Sequence, residues 1–190
     1  MIAKFFKKHF HVCPYQFSFL LLCPVRSLFL SPKTLAKRLE IREDSTVLEV
    51  GPGPGYYSVP LARHLTQGKL IVADIQPQML AQAKKRLTKR GLTNVDFYQC
   101  DGSKFDLPDN HFDAILLVTV FGEVKNQQEY MAEFFRMTKP GGIVSISEMA
   151  GDPHIMPIDK VRELAENAGF TFDKMYGHRW NYTANFRKPC

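Results

Sequence analysis

A chain of 190 residues and 21.8 kDa has room for one ordinary domain. Its 45% hydrophobic and 23% charged residues, 12 Gly, 12 Pro and lack of internal repeats exclude collagen, solenoid and coiled-coil architectures. The net charge of +6 is local: residues 1–40 carry seven Lys/Arg and one acid, residues 41–190 carry 18 of each sign, and no nucleic-acid partner is expected.

The basic N-terminus has Ile2, Phe5, Phe6, Phe10 and Cys13 at near-helical spacing, with Lys4, Lys7 and Lys8 between them. The apolar run Phe17–Cys23 that follows is bracketed by Pro14 and Pro24 and is too short to span a membrane. Residues 1–40 are read as a separate basic, apolar helical segment. Three roles are open for residues 1–30: a hood over the site, a membrane-interface element, or plain packing. Residues 41–190 form the main domain.

Ser31 caps a helix that Pro32 opens, with Leu35, Ala36 and Leu39 on one face. Thr46–Val50 reads as a strand and Gly51–Gly55 as a turn. The helix that follows runs to about Thr66, with Pro60 tolerable only in its first turn. Lys69–Ala73 is a second strand, ending at Asp74, and Pro77 starts a helix carrying Met79, Leu80, Ala83 and Leu87 inward until Gly91. Val95–Gln99 and Phe112–Val118 are strands three and four; the latter is apolar enough to be buried on both faces. Gln127–Met137 is a helix with Tyr130, Met131, Phe134 and Phe135 inward. Lys139–Gly142 is read as a turn, Ile143–Ser147 as strand five, Ile158–Ala168 as a helix, and Phe170–Tyr176 with Asn181–Arg187 as a hairpin around Gly177 and His178. Strand and helix alternate, which predicts an open, mainly parallel α/β sheet with a late antiparallel strand. Cysteines 13, 23, 100 and 190 form no C-x-x-C pair, so no metal site is expected, and a reducing, cytoplasmic setting is.

Ligands of such sheets bind at the carboxyl ends of the strands. Gly51, Gly53 and Gly55 lie in the turn after the first strand, and Asp74, ending the second, suits the two hydroxyls of a ribose. The spacing is G-x-G-x-G. The G-x-G-x-x-G of a dinucleotide site and the P-loop are both absent, so a dinucleotide-dependent oxidoreductase is the lesser reading.

Val47-Leu48-Glu49-Val50-Gly51-Pro52-Gly53-Pro54-Gly55 resembles the first motif of the class I S-adenosylmethionine-dependent methyltransferases. Asp74-Ile75 before Met79-Leu80, Cys100-Asp101-Gly102-Ser103 before Leu107–Asp113, and Lys139-Pro140-Gly141-Gly142 resemble later motifs of that family, in the same order. The match is nearest to its small-molecule and quinone-biosynthesis branch. The resemblance implies a Rossmann-like doubly wound sheet of about seven strands, helices on both faces, and a C-terminal antiparallel hairpin strand. It also implies S-adenosyl-L-methionine as cofactor. The Gly51, Pro52 and Gly53 backbone would lie along the methionine part, with Glu49 ordering the loop. Asp74 would hold the ribose and Ile75 pack on adenine. Asp101, with Gly102 beside it, would accept from the adenine amino group, and Val118 and Thr119 would floor the pocket.

The expected reaction is methyl transfer by in-line displacement to a small, lipid-soluble acceptor. A scaffold that binds the cofactor without turnover is the alternative from another class. If the acceptor must lose a proton, the candidate bases are Glu123, Tyr57 and His178, with Tyr56 and Glu148 behind them. About ten residues separate Glu148 from the next helix, fewer than quinone-type relatives usually carry there.

Overall fold

The computed structural model describes residues 12–23, 27, 30–102 and 104–190. The spacing expected of Ile2 to Phe10 lies outside them. Seven strands form one sheet: β1 (Thr46–Val50), β2 (Lys69–Asp74), β3 (Val95–Gln99), β4 (Phe112–Val118), β5 (Thr138–Glu148), β6 (Thr171–His178) and β7 (Asn181–Arg187). Their order is β3-β2-β1-β4-β5-β7-β6. The first five strands run parallel, and β7 pairs antiparallel with both β5 and β6. The strand order reverses between β1 and β4, which opens a crevice at their carboxyl ends.

Helices α1 (Pro32–Arg38), α2 (Ser58–His64) and α3 (Pro77–Thr88) cover one face, packing Leu35, Leu61, Leu80 and Leu87 on Val47, Leu70, Val72 and Leu116. Helices α4 (Gln127–Met137) and α5 (Ile158–Asn167) cover the other, setting Tyr130, Phe134, Val161 and Leu164 against Leu48, Ile71, Ile115 and Leu117. The two sets of strand residues alternate, as a pleated sheet buried on both faces requires. Ser31 caps α1 by accepting the Thr34 amide at 3.1 Å, and Pro60 falls in the first turn of α2. Phe135 is only half-buried; its ring meets Phe170 edge-on at 5.1 Å.

Two turns differ from expectation. Lys139–Gly142 lies inside β5, as a bulge in its pairing with β4. Asp113 holds the bulge: its carboxylate takes the Lys139 ammonium at 2.8 Å and the Thr46 amide at 2.7 Å. The hairpin turns at Arg179–Trp180, because His178 still pairs with Asn181 and Gly177 remains in β6.

A buried polar row joins α1 to the far strands. Ser145 donates to Asn185 at 2.8 Å, and Ser147 meets Thr183 at 2.9 Å. Asn185 donates to the Arg38 carbonyl at 2.6 Å, and the Arg38 guanidinium donates to Thr183 at 2.7 Å.

Arg136, near the end of α4, pins the β3–β4 connection. It donates to the carbonyls of Phe105 and Leu107 at 2.9 and 2.8 Å and pairs with Glu133 and Asp109. Arg136→Ala leaves both carbonyls without their donor. An expected loss of about 2 kcal/mol lowers the melting temperature by roughly 4–8 °C, readable by calorimetry.

Candidate cofactor and acceptor site

A cavity of about 1000 Å³ opens where β1 to β5 end. Its floor begins with the turn after β1. The Gly51 amide donates to the Ala73 carbonyl at 2.8 Å, which ties the turn to the end of β2. Gly51 has φ +67°, and a Cβ there would lie 2.5 Å from a Val120 methyl, so side-chain-free backbone is required. Gly51, Pro52 and Gly53 line the cavity; Gly55 does not. Gly55 has φ +81°, a left-handed conformation that favours glycine, and it faces Ala83 of α3.

Three carboxylates stand at successive strand ends along the wall: Glu49 within β1, Asp74 ending β2 and Asp101 just after β3. Asp74 is buried and accepts the Gln76 amide at 2.9 Å, with the Gly53 and Ile75 amides also turned to it. Burial outweighs those amides and pushes its carboxyl up to about 6. Burial, with Asp74 adding to it, pushes Glu49 up to about 7, and one Glu49 oxygen has no partner. Ile75 is 40% exposed and stands on the cavity side beside Gly102, an apolar side chain of the kind that covers a flat ring. Cys100 and Tyr130 close the wall, and burial raises both above their ordinary values.

Beyond β1 the lining passes to Val118, Thr119 and Val120 after β4 and to Met149–His154 after β5. Glu123 ends a one-turn 3₁₀ helix, Phe121–Glu123, and points its chemistry into the same space. Burial first, then Asp152, pushes its carboxyl up to about 8. Tyr57 lines the cavity, but its hydroxyl donates to the Leu30 carbonyl at 3.0 Å, and Tyr56 stands edge-on beside it at 4.9 Å. His178 is not part of the site. It is exposed at the end of β6, the sheet's outer strand, with β7 between it and β5. Glu148 is buried behind the wall, where burial and then Asp152 push it up to about 9. His154 and Asp152 belong to the site although no motif marks them.

Residues 12–23 cross the mouth. A 3₁₀ helix, Tyr15–Leu22, lies against α3, and Val12, Cys13, Phe17, Leu21 and Cys23 line the cavity. Gln76 grips this segment from below: its side chain donates to the Cys13 carbonyl at 2.9 Å and accepts the Tyr15 amide at 3.2 Å. Ser18 donates to Gln82 on α3 at 2.7 Å. The Cys13 amide donates to Glu123 on the opposite rim. Among the described residues no group of side chains suits a metal ion, and no helix is long and apolar enough to cross a membrane.

The raised carboxyls at Glu49, Asp74, Glu123 and Glu148 give stability a definite pH sign. Each folded value lies above the ordinary carboxylate range, so protonation favours the folded chain. That stability is complete below about pH 4 and is lost as pH rises through the folded values. Glu133, lowered by its hydrogen bond to Arg136, acts in the opposite sense, but in acid rather than in this window. The ligand-free protein is expected to melt several degrees higher at pH 6 than at pH 9, each kcal/mol counting for about 2–4 °C. Equal melting temperatures in a fluorimetric scan would contradict that origin of the shifts.

The fit to an adenosine sulfonium is chemical: carboxylate acceptors stand at three strand ends, where such a molecule offers ammonium, hydroxyl and amino donors. Comparison with known proteins agrees. Residues 47–142 match the methyltransferase domain family. The ubiquinone/menaquinone biosynthesis C-methyltransferase UbiE of Pseudomonas putida (strain GB-1) is 31% identical over 140 residues, 72% of this chain and 53% of that protein. UbiE of Azotobacter vinelandii is 32% identical over 112 residues, 58% of this chain and 44% of that one. The chain thus spans about half the length of the curated relatives it matches. In fold it is similar to a SAM-dependent methyltransferase from Aquifex aeolicus (TM-score 0.86, 24% identity, covering 93% of this chain and 99% of that one). It is also similar in fold to the [4+2]-cyclase SpnF (TM-score 0.73, 20% identity, covering 83% and 79%). From its matched domain and its UbiE relatives, the chain belongs to the class I S-adenosylmethionine-dependent methyltransferase family.

Proposed function

We propose that the chain transfers a methyl group from S-adenosylmethionine to a small, lipid-soluble acceptor of the quinol type. The observation that carries this reading is one cavity with two unlike halves. The β1–β3 side presents Glu49, Asp74 and Asp101 in a row; the β4–β5 side sets Val118, Val120, Val124 and Met149 beside Glu123, Asp152, Lys125 and His154. At about 1000 Å³ the space exceeds the needs of one cofactor and leaves room for an acceptor. The UbiE relatives, named as quinone-biosynthesis C-methyltransferases, support that acceptor class.

In this reading Asp74 holds the ribose hydroxyls, Asp101 with Gly102 the adenine amino edge, and Ile75 the ring face. Gly51, Pro52 and Gly53 carry the methionine part, with Glu49 beneath them, and Val118 forms the floor toward the acceptor. When bound, the cofactor supplies an electrophilic methyl on a cationic sulfur. The chain's part is alignment and exclusion of water, because the leaving group is already good. Residues 12–23 serve as the cover that excludes water. Phe19, 64% exposed on that cover, with the basic residues before it, suits a lipid interface from which an apolar acceptor enters.

Calorimetry with S-adenosylmethionine and with NADH comes first, then a methyl-transfer assay with labelled cofactor against quinol, lipid, amine and RNA extracts. Label in the quinol or lipid fraction is expected. Cofactor binding without turnover on any extract points to a non-enzymatic scaffold, and NADH binding alone to an oxidoreductase. Co-sedimentation with anionic vesicles, weakened by salt, tests the interface.

A further inference from the structure

Two side chains from different loops meet in the acceptor half of the cavity. His154 Nδ1 lies 3.9 Å from Glu123 Oε1, and the two side chains are only 10% and 17% exposed. Both line the cavity. The meeting is built into the backbone. A Cβ on Gly122 would lie 1.8 Å from the His154 carbonyl oxygen, so the turn after β4 and the loop after β5 touch main chain to main chain. Asp152 fixes that loop by accepting the His154 amide at 2.7 Å. On the other side the Cys13 amide donates to Glu123. The carboxyl is therefore bonded by the Cys13 amide on one side and lies beside the His154 ring on the other.

The strand order puts this pair where proton transfer is needed. Asp101, Asp74 and Glu49 mark the ends of β3, β2 and β1 in spatial sequence, and β4 and β5 come next. A ligand laid along the first three ends has the pair beyond it, facing whatever occupies the rest of the space. Resting on the methyl-transfer reading, we propose that Glu123 and His154 together accept the proton that the methyl acceptor loses. The balance is simple. A sulfonium that gives up its methyl leaves as a neutral thioether, so the acceptor must shed one hydrogen as a proton. The acceptor's bond to hydrogen breaks, its bond to the methyl carbon forms, and the carbon–sulfur bond breaks. The pair then holds one proton more, which passes to water when the cover opens.

The groups facing Glu123 are Asp152 from the β5–α5 loop, Glu148 from β5, Asp74 from β2 and His154; Lys125 lines the same cavity. Most of these are acidic, and they hold a proton on the pair near neutrality. With the carboxyl pushed up to about 8, the pair loses that last proton only in mild alkali and becomes the stronger base there.

Two measurements test this on the full chain. The first is the pH titration of the His154 ring by NMR, without acceptor. In the wild type the ring is expected to sense a step near pH 8 that arises from Glu123, and Glu123→Gln is expected to erase it. The second is the pH profile of kcat with 1,4-naphthohydroquinone and S-adenosylmethionine. The wild-type rate should climb through pH 8. Glu123→Gln and His154→Gln should each lose that limb, with kcat at pH 8.5 down about 100-fold or more and cofactor Kd held within about threefold. The double variant should lose no more than either single one. Naphthohydroquinone left unmethylated by the wild type, with the NMR step present, keeps the pair and sinks the quinol reading. A His154 ring indifferent to Glu123→Gln, or an alkaline limb that survives it, overturns the pair.

Discussion

Asp74→Asn is expected to weaken S-adenosylmethionine binding about 100-fold. In the proposed reading its carboxylate accepts two hydroxyls of the same ribose, and charge-assisted hydrogen bonds contribute about 1.5–3 kcal/mol each. The low end for both, about 3 kcal/mol, is roughly two orders of magnitude in Kd. Asn is the cleaner variant. Its carbonyl can still accept the Gln76 amide, whereas Ala would strip that bond and loosen the turn as well. The pH dependence carries the same signature. With Asp74 pushed up to about 6, wild-type affinity should fall between pH 7 and pH 5 as the carboxylate is lost. The part of that fall due to Asp74 should vanish in Asp74→Asn. An unchanged Kd by calorimetry removes Asp74 from the site. Asp101→Ala should cost less, because in the same reading its partner is a neutral amino group and its own position is exposed.

Removing residues 1–23 is the second large effect. Cys13 is held on both sides, its amide by Glu123 and its carbonyl by Gln76, so residues 12–23 reach both rims of the cavity. Without it the apolar wall formed by Val12, Phe17 and Leu21 is gone and water enters. If these residues serve as the cover, cofactor dissociation quickens and affinity drops by at least about tenfold, because less of the ligand is buried. The sheet should survive, since Leu30, Leu35 and Leu39 remain in the core and Tyr57 keeps its bond to Leu30. A truncated protein that binds and turns over normally and only melts earlier would reduce the segment to packing. Gln76→Ala, which cuts the grip but leaves the segment present, should give a smaller change in the same direction.

What could be read from the sequence follows the range of the interactions. The central strands β1, β2 and β4 are legible as runs of apolar residues between turns, because burial on both faces leaves a local signature, whereas β3 and β6 at the sheet edges are largely exposed and carry a weaker one. The row of carboxylates is legible too, since Glu49, Asp74 and Asp101 each sit within two residues of a strand end. Gly55 sits off the cavity lining, and its φ of +81° accounts for the glycine by the shape of the turn itself. His178 looked usable because its strand runs toward the right edge of the sheet. The order of strands, which no local pattern carries, sets it two places aside. His154 gave no signal at all: its role depends on Gly122 and Glu123, brought to it only by the pairing of β4 with β5. The bulge at Lys139–Gly142 read as a turn because its Pro-Gly-Gly run breaks a strand locally, while Asp113 and Lys188 hold it in the sheet from a distance.

The polar row that ties α1 to β7 bears on the order in which the chain folds. β7 follows all six other strands of this sheet in the sequence, yet it lies inside the sheet, between β5 and β6. Until it arrives, β5 has an open edge, and Ser145 and Ser147 face neither Asn185 nor Thr183. Arg38 waits longer still, for partners some 145 residues downstream. Such distant pairings make for slow completion. During synthesis the first half can settle into local helices and the β1–β2–β3 region, but the face under α1 is sealed only once β7 has been made. A nascent chain stopped before Asn181 should therefore be open to protease at α1 and prone to edge-to-edge association along β5.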